Sequence, residues 1–184
     1  MKKAKFLFII AMWAVIACNN DKTQTITIDG KYALTVPESM KQAKGLNEDA
    51  SLQYQDASKE MYVIVIDETK KSFDSIISAY SLYDVYKPDL EGYSQLVING
   101  IDPSVTIDTT SGFQDTKING LNARRTTIEG SSSGFGIYWK FAFLEGKKNF
   151  YQVMTWTTKD RKEKNEKQME DIITSFKEAD KSIR

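Results

Sequence analysis

The sequence contains no histidine and only one cysteine, Cys18. The first absence removes imidazole, the commonest general base and a principal zinc ligand. The second excludes a disulfide within the chain and any two-thiol metal site. No D-x-[DN]-x-[DN]-G spacing occurs, so a calcium loop of the EF-hand type is absent as well. Lysine and arginine total 25, as do aspartate and glutamate, so there is no basic excess. Nucleic acid and polybasic membrane binding both want clustered positive charge, and neither is indicated. The composition predicts a domain held by burial and hydrogen bonding alone, without enzyme activity, cofactor or metal.

What is present begins at the N-terminus. Lys2, Lys3 and Lys5 precede twelve apolar residues, Phe6 to Ala17, and Asn19-Asn20-Asp21-Lys22 turns polar at once. That is the layout of a secretory signal peptide. Twelve helical residues cover about 18 Å, too short for a hydrocarbon core of about 30 Å. The ending Val15-Ile16-Ala17-Cys18 resembles the lipobox of bacterial lipoproteins, in which the chain is cut before the cysteine and the thiol receives a diacylglycerol. The resemblance implies lipidation at Cys18 and a location on the bacterial envelope. Asn19 after the cysteine points to the outer membrane, facing the periplasm. Two or three acyl chains, at about 0.8 kcal/mol per buried methylene, anchor a protein stably. The division expected is therefore a cleaved signal at 1–17, a lipidated cysteine and tether at 18–25, and a single domain at 26–184. Loss of the signal and its three lysines leaves 167 residues, with 22 basic and 25 acidic side chains.

The rest of the chain reads mostly as strands. Ile26–Ile28 and Tyr32–Val36 flank Asp29-Gly30, a hairpin signal, and Pro37 ends the second strand. Ser51–Gln55 and the apolar Met61–Ile66 follow, the latter as a strand covered on both faces. Ser72 reads as the N-cap of a helix carrying Phe73, Ile76, Ile77 and Tyr80 on one side and ending before Pro88. On that helix Tyr80, Tyr83 and Tyr86 are neighbours at three-residue spacing. Residues 89–102, punctuated by Gly92, Gly100 and Pro103, read as either another short helix or an irregular loop. Phe113–Ile118 and Leu121–Ile128 form a hairpin across Asn119-Gly120. Gly130–Gly134 reads as a flexible turn, then Phe135–Leu144 and Phe150–Thr157 as a strand pair. Thr158 or Asp160 is expected to cap a final helix with Met169, Ile172, Ile173 and Phe176 as its apolar stripe. This order predicts an α+β fold, an antiparallel β-sheet with helices packed on it.

The segment Tyr32-Ala33-Leu34-Thr35-Val36-Pro37-Glu38, the block Asn119-Gly120-Leu121 into Ala123-Arg124, the aromatic strands Tyr138 to Trp156 and the closing Ile173-Thr174-Ser175-Phe176 resemble the PsbP-like superfamily, including small bacterial lipoproteins of the DcrB type. The resemblance implies an α/β/α sandwich and a role in binding or assembly, with no shared catalytic residues.

Five features are weighed as candidates for function. Gly130-Ser131-Ser132-Ser133-Gly134 matches G-x-S-x-G, but a nucleophile elbow needs a strand-to-helix turn and a histidine; a turn between strands is expected. Arg124 and Arg125 point to opposite faces of one strand, one solvated and the other ion-paired, with Arg124 a possible anion clamp. Trp139 and Trp156 lie on adjacent strands and could form an aromatic recognition surface, with Tyr138 on the other face from Trp139. Tyr83 and Tyr86 suit a partly buried interface. Lys159–Glu170 reads as a solvated helix face in which Glu163–Lys167 attract and Glu166–Glu170 repel. The expected function is a non-enzymatic, membrane-anchored lipoprotein that binds a protein partner through Tyr83, Tyr86, Arg124, Trp139 and Trp156. The alternative is a lipoprotein with an apolar pocket for a lipid or metabolite between sheet and helix.

Overall fold

The computed structural model describes residues 22–28 and 30–179; the signal segment and Cys18 lie outside them. In order come β1 (Thr23–Ile28), β2 (Tyr32–Pro37), β3 (Lys41–Gln42), β4 (Leu52–Asp56) and β5 (Met61–Thr69). Helices α1 (Lys70–Ala79) and α2 (Leu90–Asn99) follow. Then come β6 (Thr106–Thr110), β7 (Gln114–Ile118), β8 (Leu121–Ser132), β9 (Phe135–Glu145) and β10 (Asn149–Thr158). A 3-10 turn (Lys159–Arg161), α3 (Lys162–Thr174) and β11 (Lys177–Glu178) complete the chain. The large sheet has the order β3-β4-β5-β10-β9-β8-β6, and β7 also pairs with β8; β1, β2 and β11 form a small second sheet. Every pairing is antiparallel.

Side-chain alternation along the strands builds two cores. On one face of the large sheet, Met61, Val63, Val65, Ala142, Leu144 and Val153 meet Leu34 and Val36 of the small sheet and Met169, Ile172 and Phe176. On the other, Phe141, Phe143 and Phe150 meet Phe73 and Ile77 of α1 and Tyr93 of α2. There Phe73 stands edge-on to both Tyr93 and Phe150, and Tyr93 stacks on Phe150 at 4.9 Å. The result is the expected α+β sandwich with a layer on each face of the sheet. β5, buried on both sides at Val63, Ile64 and Val65, is the interior strand its apolar run predicts.

Several local expectations are corrected. Thr69, not Ser72, caps α1: its hydroxyl accepts from the Ser72 amide at 3.0 Å. β5 runs on to Thr69 and the helix starts at Lys70, so Ser72 lies in its first turn. The helix stops at Ala79, so Tyr83 and Tyr86 are not helical neighbours; they lie in the segment before α2. Of the short helix or loop expected at 89–102, the helix forms over 90–99 as α2, capped by the Asp89 carboxylate on the Gly92 amide at 2.9 Å. Gly130–Ser132 belongs to β8, and only Ser133 and Gly134 turn, both at positive φ. No side chain caps α3; it grows out of the 3-10 turn instead.

The Asn119-Gly120 turn is a hairpin turn with both residues at positive φ, as its sequence predicts. Asn119 also donates from Nδ2 to the carbonyls of Thr174 and Phe176, at 2.9 and 2.8 Å. It thereby fastens the β7–β8 hairpin to the end of α3.

Candidate functional site

At one end of the face that α1 and α2 cover, burial is incomplete: Gln55, Tyr62, Trp139 and Trp156 are half-buried, while Ile128 is buried. Strand register sets a single row of residues across it. Lys41 lies opposite Gln55, Gln55 opposite Tyr62, Tyr62 opposite Trp156, Trp156 opposite Trp139 and Trp139 opposite Ile128. Tyr62 and Trp156 stack at 5.1 Å with their rings 12° apart. Both are half-buried, as are Trp139 and Ile137. Along β9 the same face continues through Ile137 to Phe135, at the β8–β9 turn, which is 67% exposed. Ile107 of β6, beside Gly130, is exposed as well. The aromatic surface anticipated around Trp139 and Trp156 is therefore present. Tyr62 and Phe135 complete it. The sequence hid Tyr62, because β5 and β10 are paired across more than eighty residues. Tyr138 and Tyr151 point to the opposite face, where burial pushes both phenols up, helped by Glu166 and Glu178 respectively.

A second exposed surface is the segment between α1 and α2. Leu82 and Tyr86 pack inward against the α1–α2 core. Tyr80, Tyr83 and Val85 point outward, with Tyr80 73% exposed. The segment is pinned by polar contacts: the Tyr83 hydroxyl donates to the Asp74 carboxylate at 2.8 Å, and Asn99 Nδ2 donates to the Tyr86 hydroxyl at 3.1 Å. The Asp74 bond holds the Tyr83 phenol above its usual range. Tyr93 of α2, the next tyrosine in the chain, is buried in the core.

Arg124 and Arg125 do face opposite sides, but both are ion-paired. Arg124 meets Asp115 at 2.9 Å and lies over the Phe113 ring at 4.5 Å. It stands opposite Phe143, away from the tryptophan row, so the structure does not bring it together with Trp139 and Trp156. Arg125 reaches Glu170 of α3 on the other face.

That contact belongs to a polar cleft of about 400 Å³ between α3 and strands β7–β9. Lys140, only 8% exposed, places Nζ 2.9 Å from Glu170 and 3.8 Å from Glu166. The Tyr138 hydroxyl donates to Glu166 at 2.9 Å. Lys162 pairs with Glu129 at 2.7 Å and sits over the Tyr138 ring. Burial alone would raise the Glu170 carboxyl; the bonds from Arg125 and Lys140 outweigh it and hold the group below its usual range. Three cations thus meet three carboxylates. The start of α3 is in part the lining of this cleft, not solely a solvated face. Glu166 and Glu170 do not simply repel, because Lys140 lies between them, and Lys167 pairs with Asp171 at 2.6 Å. The cleft is polar, in contrast to the apolar pocket envisaged for a lipid. Among the described residues no group of three or more His, Cys, Asp or Glu is arranged to hold a metal.

No family model matches the chain, and no curated protein matches it in sequence. Solved structures do match in fold. The solution structure of the cyanobacterial PsbP protein (CyanoP) from Synechocystis sp. PCC 6803 is similar over 89% of this chain and 96% of its own, at a TM-score of 0.53 and 10% identity. LpqN of Mycobacterium tuberculosis, described as involved in cell envelope biogenesis, is similar over 88% of this chain and 93% of its own, at 0.51 and 10%. Likeness at this level defines the fold, and the fold is PsbP-like.

Proposed function

We propose that this protein is a membrane-anchored, non-enzymatic accessory factor of the bacterial envelope, tethered through a lipid on Cys18, and that it presents the segment Tyr80–Val85 to a protein partner. The observation that carries this reading is that three of the five large hydrophobic side chains exposed among the described residues, Tyr80, Tyr83 and Val85, fall within six residues. They are held by a rigid base. Leu82 and Tyr86 anchor the segment from beneath, and Asp74 fixes Tyr83. Tyrosine offers a large apolar body and a polar tip, and a preorganised display loses little entropy when a partner closes over it. The PsbP-like fold and a structural neighbour linked to envelope biogenesis support this reading.

The test is crosslinking in living cells from a photoreactive residue at position 80, followed by mass spectrometry. One dominant envelope protein is expected. Its capture should be lost in Tyr83→Ala/Val85→Ser, both exposed positions, while circular dichroism stays native. Capture that persists undiminished in that variant rules out this segment as the docking surface.

A further inference from the structure

Phe135 and Ile107, the two exposed hydrophobics outside the Tyr80–Val85 segment, belong to the open aromatic end of the sheet. We infer that this end, with Phe135, Ile107, Trp139, Trp156 and Tyr62, seats in the headgroup layer of the membrane to which Cys18 tethers the chain. The inference rests on the lipid anchor proposed above.

Where the chain enters the fold decides the orientation. The Lys22 carbonyl accepts from the Glu38 amide at 2.8 Å, and Gln24 Nε2 donates to the Met40 carbonyl at 2.9 Å. Lys41, the next residue, begins the cross-strand row that runs through Gln55 and Tyr62 to the tryptophans. The turns β4–β5 and β8–β9 and the exit of β10 lie at this same end, since Asp56 is opposite Met61, Thr157 opposite Met61 and Ser132 opposite Phe135. Only three residues lie between Cys18 and Lys22, so the four steps of chain reach at most about 14 Å. The nine residues of β5 run about 30 Å toward the opposite end. A tether this short keeps the aromatic end, not the other, against the bilayer.

The side chains there suit that depth. Tryptophan and tyrosine concentrate at the membrane–water boundary because each combines an apolar ring with a polar group. Phe135, at the tip, is a ring that the fold leaves 67% exposed. The charge at this end is also suitable. Lys22, Lys41 and Lys44 are exposed, and two of the nearby acids, Glu60 and Asp108, are matched by Arg161 at 3.2 Å and Lys159 at 2.6 Å. Three lysines beside exposed Glu38 fall short of a polybasic patch, so the charge at this end permits a headgroup contact without driving it. No described helix is long and apolar enough to cross a membrane, so the contact is peripheral.

The experiment uses the full chain expressed in a bacterial host. Incorporation of labelled palmitate, and its loss in Cys18→Ser, reads the anchor. The purified lipoprotein is then inserted into preformed vesicles of phosphatidylcholine and phosphatidylglycerol, with or without bromine on the upper acyl chain. Of the three tryptophans only Trp139 and Trp156 remain once residues 1–17 are removed, so emission reports on this surface alone. Brominated vesicles are expected to quench most of it. Phe135→Asp, at an exposed turn, should recover most of the loss. Palmitate on Cys18 with equal emission from both vesicles overturns the seating and leaves the anchor standing; it would assign the aromatic face to a protein instead. Absence of palmitate overturns the anchor, and the seating falls with it.

Discussion

Glu170 receives Lys140 and Arg125 at once, from two adjacent strands, and so joins α3 to the sheet by charge where apolar contact gives out. Because its carboxyl is held below the ordinary value of 4.5, folding favours the ionised form. The resulting stability is fully present above that value and is lost as pH falls through and below it. Glu170→Gln is therefore expected to cost about 2 kcal/mol at neutral pH, since Lys140 and Arg125 each lose a partner. The variant should also flatten the acid limb of the stability curve; urea titrations from pH 7 down to pH 3 would show both effects. A parallel downward shift at every pH would count against this role. The network was invisible in sequence because helix spacing alone sets Glu166 against Glu170. The cation between them comes from Lys140, on a strand whose register with the helix nothing local encodes. Arg124 and Arg125 were half legible: alternation placed them on opposite faces, but their partners Asp115 and Glu170 are matters of tertiary contact.

Among the elements, the pair β6 and β8 depends on one residue without a side chain. A Cβ at Gly130 would stand 2.2 Å from the Thr106 carbonyl oxygen, a backbone atom that moves only if β6 moves. Gly130→Ala is expected to destabilise the domain by about 1–3 kcal/mol, as overpacking does. Faster hydrogen exchange confined largely to residues 106–110 would locate the damage; protection unchanged there would mean that β6 is held by other contacts. The same glycine is where the G-x-S-x-G pattern misleads. Its spacing matches a nucleophile elbow, while its backbone serves close strand packing. Elements with strong local chemistry were legible: the β1–β2 pair, the Asn119-Gly120 hairpin and the alternating β9 formed as read. Helix α2 was legible only as an alternative to a loop, because Leu90, Tyr93 and the half-buried Val97 meet a core supplied by β9 and β10, and its cap, Asp89, follows directly on a proline. The aromatic row shows the same division. Trp139 and Trp156 come from neighbouring strands of a visible hairpin, whereas Tyr62 joins them through a pairing of distant segments.

For the molecule as a whole, the sequence offers one thiol and the fold uses none of the described residues as a covalent staple. Midpoints of thermal unfolding measured with and without a reducing agent should coincide; a lower midpoint under reduction would reveal a link between chains through Cys18. Stability instead comes from enclosure, and the manner of enclosure has a temporal side. Strands β1 and β2 are roofed by the last part of the chain: Ser175 Oγ accepts from the Thr35 amide at 2.9 Å across 140 residues, and Lys177 pairs with Ala33. Strands β1 and β2 therefore have no finished core to join until residues 175–178 have been made. Contacts of such long separation form late and slowly. A nascent chain built this way cannot close its small sheet until late in synthesis, and a fold that closes late suits a polypeptide that must be threaded through a membrane first.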